Sequence, residues 1–263
     1  MEQPSQEQKP SYPPPQQTHM ELRTAENSAI YVLPKLRSMK EANPHLTLLD
    51  VGAGSGTISV TLAKVIPDGH VTAIDVNEAI LPRARAIAEM AGIKNIEFQH
   101  GDVYKLPFAD ASFDVTFCHQ MLTHLKEPSD ALREMIRVTK PGGIVAAREG
   151  DLETECVWPE LSGLLKFHKF AASMMKAAGG SATGGRQLLS WALKAGVERE
   201  KITLTYAQAL IDRVRAGRLR EGGIKAGMVT ESDLEEMATH WEEWAERKDA
   251  SIAMMHGEVL IQR

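Results

Sequence analysis

A chain of 263 residues, 43% hydrophobic and 25% charged, has the composition of an ordinary globular protein and the length for one substantial core. Its formal net charge of −5 excludes a broad basic surface for phosphate backbones or anionic lipid. Cys118 and Cys156 have no metal spacing and make no disulfide framework, no apolar run approaches the ~20 residues of a membrane span, and no charged-then-apolar leader is present, so a cytoplasmic placement is expected.

Residues 1–19 are rich in Pro and Gln and lack apolar periodicity. Such a segment buries too little surface to offset its ordering entropy, and a disordered tail is expected there. From Met20 to Lys40 the pattern is helical, with a bend expected at Pro34. Alternation follows: strand 46–51, helix 56–65, strand 70–75, helix 78–91, strand 95–100, strand 113–119, helix 129–140, strand 143–149. Apolar strands alternating with amphipathic helices predict a parallel sheet covered on both faces. Beyond Asp151 the pattern predicts helix 161–178, a glycine-rich loop at 179–185, helix 187–196, strand 201–205, a charged helical stretch 208–226, a helix from Thr230 to about Lys248, and a terminal strand 252–261. No internal repeat or second domain is apparent. The expected organisation is a tail, 1–19, and one domain, 20–263, with 152–226 inserted as a substrate lid.

Within this frame the stretch Asp50-Val-Gly-Ala-Gly-Ser-Gly56 ends a strand in three alternating glycines and opens a helix. Glycine permits left-handed turns and close approach of a ligand to the backbone, and a helix N-terminus favours electron-rich groups. Asp75 ends the second strand, where a carboxylate accepts hydrogen bonds from the ribose hydroxyls of a nucleoside. The third strand runs into Gly101-Asp102-Val103. All these residues fall at the carboxyl ends of strands, where such sheets bind ligands.

The pieces Asp50–Gly56, Asp75, Gly101-Asp102, Leu106-Pro107-Phe108, Ser112-Phe113-Asp114-Val115, Ala131–Lys140 and Pro141-Gly142-Gly143 occur in one order over roughly residues 20–150. In this the chain resembles the class I S-adenosylmethionine-dependent methyltransferases, within them the UbiE-like small-molecule group. Arg23-Thr-Ala-Glu-Asn-Ser-Ala29 is similar to the opening helix of its small-molecule members. A dinucleotide dehydrogenase wants glycine at the sixth loop position, and here that residue is Thr57.

The resemblance implies a seven-stranded, doubly wound, Rossmann-like sheet with helices on both faces, mostly parallel, with an antiparallel last strand. It implies S-adenosylmethionine at Asp50, Gly52, Ala53, Gly54, Gly56, Asp75, Val76, Asn77, Asp102, Val103, His119 and Gln120. His119 then faces the transferred methyl as a base or a substrate-orienting group. Apart from the resemblance, Glu149 and Asp151 share parity at the end of the fifth strand, and one of them, Glu149 first, is expected to orient an amine or hydroxyl. His124 is expected in the following helix in a structural role. No metal is expected: Asp151, Glu153 and Glu155 alternate without a matching His cluster. The partner is a small organic molecule. A nucleic-acid base is disfavoured, because the Asn/Asp-Pro-Pro-aromatic motif of amino-methylating relatives is replaced by His119-Gln120-Met121-Leu122. Quinone-type biosynthesis or secondary metabolism is the expected setting. The alternative is a protein of this fold that binds the cofactor without methyl transfer, as a non-redox cyclase or partner subunit. Segment 205–228 departs from the resembled pattern, carrying Arg213, Arg215, Arg218, Arg220 and Glu221 where aromatic residues are expected.

Overall fold

The computed structural model describes residues 20–154, 162–203 and 218–247, together with 212, 215 and 216. The chain groups into two compact units, Met1–Gly185 and Arg186–Arg263. Among the described residues no helix is long and apolar enough to cross a membrane.

The first unit opens with α1 (Ala25–Ser28), α2 (Leu33–Ala42) and β1 (Thr47–Val51). There follow α3 (Thr57–Val65), β2 (His70–Asp75), a 3-10 turn (Glu78–Ile80), α4 (Leu81–Met90), β3 (Ile96–His100) and β4 (Phe113–His119). A second 3-10 turn (Leu122–His124), α5 (Pro128–Val138), β5 (Thr139–Arg148) and α6 (Ser162–Ala177) complete it. The strands form one sheet in the order β3-β2-β1-β4-β5, and every pairing is parallel. Strands β1 and β2 are almost wholly buried, as a parallel sheet with both faces covered requires. One core layer joins Leu36, Leu62 and Ile66 to Leu48, Val71, Val115 and Phe117. A second joins Val60, Ile80, Leu81 and Ala84 to Ala73 and Phe98. Helix α5 begins with Pro128, whose missing N–H costs nothing at that position, and buries Ala131, Leu132, Met135 and Val138.

Several expectations are corrected. The described residues hold five parallel strands rather than seven with an antiparallel last strand. In place of the strand expected at 201–205, a 3-10 turn occupies Arg199–Lys201 and Ile202 and Thr203 are irregular; 204 and 205 lie outside the described residues. The terminal strand 252–261 and the tail 1–19 also lie outside them. The bend expected at Pro34 is a break before it. Thr24 and Asn27 cap α1 reciprocally, and Pro34 falls in the first turn of α2, where no N–H is needed. Strand β5 starts at Thr139 rather than 143. Thr139 pairs with Phe113, the register then shifts, and Ile144 pairs with Val115. Gly143 makes this passable, since a Cβ there would lie 2.5 Å from the Asp114 carbonyl oxygen.

At the amino ends of the strands Asp114 ties three elements together. Its Oδ2 accepts from the Thr47 backbone N–H (2.8 Å), the Thr47 hydroxyl (2.8 Å) and Lys140 Nζ (3.0 Å). These donors hold its carboxyl below the usual aspartate range against the opposing effect of burial.

The second unit holds most of α7 (Gly184–Lys194), then α8 (Arg218–Lys225) and α9 (Glu231–Glu246). Thr230 and Asp233 cap α9 reciprocally. Arg215 bridges Glu235 and Glu242, and Arg220 pairs with Glu231. Arg215 and Arg220 of the divergent segment therefore serve ion pairs within this unit. Arg213 lies outside the described residues.

Candidate functional site

The loop after β1 sits where the strand order reverses, with β2 on one side and β4 on the other. Gly52, Gly54 and Gly56 have φ of +78°, +55° and +79°, in the region that β-carbon sterics reserve largely for glycine. The loop's amides are mostly engaged internally. Gly52 and Ala53 both donate to the Ile74 carbonyl at 2.9 Å, and Gly56 donates to Ala53 at 2.9 Å. What the loop offers is therefore close approach rather than a fan of free N–H groups. A Cβ on Gly52 would come within 2.5 Å of Met121 Cγ, and one on Gly54 within 2.3 Å of Met20 Cε. Both neighbours are tips or stems of unbranched, adaptable side chains. The missing side chains of the two glycines let Met121 and Met20 pack directly on the loop, and a ligand approaching its backbone would displace these adaptable side chains.

Asp75 is buried at the end of β2 and clamps this loop. Its Oδ2 accepts from Gly54 N–H at 2.9 Å and its Oδ1 from Asn77 N–H at 2.8 Å. Both carboxylate oxygens are thus engaged with backbone at this strand end. Val76 beside it is 52% exposed, an apolar surface open at the strand end. Asn77 is buried and caps the 3-10 turn through Ala79 N–H. Asp102 is exposed and accepts from Tyr104 N–H, whereas Val103 is buried.

Asp50 lies beneath the loop, buried, with Oδ2 receiving the Ser59 hydroxyl at 2.6 Å. Burial pushes its carboxyl up to about 7; Ser59 pulls it down and Asp75 adds to the rise. A carboxyl raised on folding binds more protons in the native state than in the unfolded chain. Its contribution is complete below the unfolded value, near ~4, and is lost as pH rises through about 7. Asp50→Asn keeps an acceptor for Ser59 and removes this titration. Chemical unfolding at pH 5 and pH 8 should show the parent losing roughly 2–4 kcal/mol more than the variant. Equal losses would show that Asp50 is ionised throughout.

At the other side of the switch point, His119 ends β4 in register with Arg148 of β5. Burial first, then the charges of Arg23 and Arg148, drive the imidazole down to about 3, so it is neutral at working pH. Sequence alone suggests a histidine titrating near ~6.5; burial, with the neighbouring charges, removes that titration. Gln120, at φ +49°, turns the chain away and donates its N–H to the Arg148 carbonyl at 2.8 Å. Glu149 Oε1 accepts the N–H groups of Met121 (3.0 Å) and Leu122 (2.8 Å), holding the 3-10 turn against β5. His124 belongs to this turn and not to the following helix. Burial raises Glu149 to about 7, partly opposed by the Leu122 and Met121 amides and by Arg23.

Two residues that carry no motif join this corner. Arg148 Nη1 donates to the carbonyls of Asn27 (3.2 Å) and Ser28 (3.0 Å), drawing the end of α1 to the end of β5. Tyr31 follows, packed on the core layer that contains Phe117. A tyrosine among apolar helix residues is its only sequence signal.

A parallel sheet of this order with a left-handed glycine loop at its switch point defines a Rossmann-like protein, a class whose ligands bind at that point. Comparison with known proteins is more specific. Residues 42–210 match the family model described as a methyltransferase domain. The uncharacterized methyltransferase C1B3.06c of Schizosaccharomyces pombe is 31% identical, over 92% of this chain and 91% of its own length. Probable methyltransferase ltbC of Aspergillus luteorubrus is 29% identical, over 91% of each. Demethylmenaquinone methyltransferase of Listeria welshimeri is 40% identical over a shorter stretch, 38% of this chain and 42% of its own. The chain belongs to the class I S-adenosylmethionine-dependent methyltransferases. Its cofactor, as a member of that class, is S-adenosylmethionine.

Proposed function

We propose that the protein transfers the methyl group of S-adenosylmethionine to a small organic molecule. In this reading Gly52, Ala53, Gly54 and Gly56 receive the cofactor, with Asp50 beneath them. Asp75 accepts the ribose hydroxyls, Val76, Asn77, Asp102 and Val103 flank the base, and Gln120 shapes the methionine end. His119 and Glu149 face the acceptor, and 152–226 supplies substrate contacts within one domain, 20–263. The observation that carries the proposal is the left-handed glycine loop at the switch point, clamped by Asp75 through the Gly54 N–H and covered only by the adaptable side chains of Met20 and Met121. Bound there, the cofactor supplies a sulfonium-activated methyl group, so the protein's task is chiefly to position the acceptor and exclude water. The likeness to demethylmenaquinone methyltransferase supports an acceptor of quinone type, and secondary metabolism is the other setting we propose.

The test is calorimetry with S-adenosylhomocysteine. Micromolar affinity is expected, roughly −8 kcal/mol; no heat and no thermal shift at saturation would end the reading. Asp75→Ala should weaken binding by about 1.5–3 kcal/mol through loss of charge-assisted hydrogen bonds. Asp75→Asn should lose less, since one acceptor survives. Parent-like affinity in both variants would remove Asp75 from the ribose site.

A further inference from the structure

Three buried side-chain atoms among the described residues have no hydrogen-bond partner: the Tyr31 hydroxyl, His119 Nδ1 and Glu149 Oε2. Unmade hydrogen bonds in an interior are costly and call for an explanation. Here they belong to one corner. His119 and Arg148 are paired in register, Glu149 is the next residue, and Arg148 grips the carbonyls of Asn27 and Ser28 just ahead of Tyr31. Glu149 spends Oε1 on the Met121 and Leu122 amides, the Thr123 amide also acts on the carboxylate, and Oε2 makes no hydrogen bond. The Tyr31 phenol is raised by burial first and then by Cys118, with Glu149 and Asp50 adding to it, so it keeps its proton and serves as a donor. Arg23 and Arg148 act on this corner as positive charges, depressing His119.

We infer that the methyl acceptor is an acidic hydroxyl group, a phenol or an enol, received by Tyr31, His119 and Glu149 as one pocket. A hydroxyl oxygen both donates and accepts, which matches a carboxylate acceptor facing a phenolic donor. An ammonium has only donors and meets two guanidinium groups of its own sign. An aromatic amine is a poor acceptor for Tyr31 and gains nothing from Arg23 or Arg148. An oxygen that becomes anionic gains from both charges and from the Tyr31 donor.

In the step itself, the acceptor O–H bond breaks and its proton passes to Glu149 Oε2. The oxygen lone pair forms the new O–CH3 bond as the methyl C–S bond breaks, and that bond's electron pair stays on sulfur. The products are a methyl ether, S-adenosylhomocysteine and neutral Glu149, which returns its proton to water. The inference rests on the methyl-transfer reading above and adds the acceptor's chemistry and Tyr31's part in it.

The experiment uses the full chain saturated with S-adenosylhomocysteine and matched probe pairs: 4-nitrophenol with 4-nitroaniline, and 1-naphthol with 1-naphthylamine. Equilibrium binding is read by absorbance and fluorescence, and the nitrophenol spectrum also reports whether the bound oxygen is anionic. The hydroxyl member of each pair should bind at least ~10-fold tighter, with nitrophenol bound as phenolate. Glu149→Gln keeps an acceptor for the Met121 and Leu122 amides, so the turn survives, and it should abolish the phenolate spectrum. Tyr31→Phe should cut the hydroxyl preference by ~10-fold without changing affinity for S-adenosylhomocysteine. Preference for the amines, no binding of either hydroxyl probe, or an unchanged preference in both variants would overturn the assignment. In those cases intact S-adenosylhomocysteine binding would leave the methyltransferase reading standing, whereas loss of that binding in the parent would overturn the methyl-transfer reading instead.

Discussion

Gly54→Val should bind S-adenosylmethionine ~10³-fold more weakly than the parent, a loss of about 4 kcal/mol. Two causes act together. The residue sits at φ +55°, where a β-branched side chain costs about 1–2 kcal/mol of strain. Its Cβ would also lie 2.3 Å from Met20 Cε, in the space proposed for the cofactor. Gly92→Val separates these causes. Gly92 has a similar φ, +68°, and a Cβ added there would meet no atom within 4 Å. It lies between α4 and β3, away from the strands' carboxyl ends. That variant should lose a comparable amount of stability and keep the parent's affinity. Thermal melts and calorimetry with S-adenosylhomocysteine read both quantities. Parent-like affinity in Gly54→Val would place the cofactor elsewhere.

His119→Ala should lower turnover by ~10²-fold while the pH profile keeps its shape. Since His119 stays neutral down to about 3, it carries no charge to lose between pH 5 and 9. In the proposed reading it contributes a fixed hydrogen-bonding nitrogen and ring, which place the acceptor. Asp50 and Glu149 are both raised to about 7, and of the two it is Glu149 that the proposal places against the acceptor. As a proton acceptor it must be ionised, so kcat/KM of the parent should fall as pH drops through about 7. The same acid limb should persist in His119→Ala at its reduced level. Disappearance of the limb in that variant would return the base to His119. Parent-like kinetics in it would deny the residue any part in turnover.

Much of this architecture is legible in the chain because the strands are short apolar runs ended by polar residues. Strands 70–75 and 113–119 are found as read, and the others in the sheet differ mainly at their amino ends. Asp75 and the glycine loop are visible because a left-handed turn demands glycine and a strand-end carboxylate is conspicuous in an apolar context. Their mutual bond is not, since Asp75 Oδ2 reaches Gly54 across 21 residues of sequence. The protonation of His119 is equally hidden. It follows from burial and from Arg23 and Arg148, one far upstream and one on the adjacent strand. Tyr31 escapes notice because its hydroxyl matters only once Arg148 has drawn the preceding helix to the sheet. Strand β5 defeats a boundary drawn at Pro141-Gly142-Gly143 because the missing Cβ of Gly143 lets the backbone pass Asp114 and continue pairing.

The bond set around Asp114 has a practical corollary. Thr47, Asp114 and Lys140 lie at the amino ends of β1, β4 and β5, while Gly54, Asp75, His119 and Glu149 lie at or beyond the carboxyl ends. The amino rim thus holds bonds that serve stability, while the opposite rim holds the residues proposed for the reaction together with Asp50, whose protonation also bears on folding. Changes at the amino rim can be screened by melting alone, and changes at the carboxyl rim need melting and rate together.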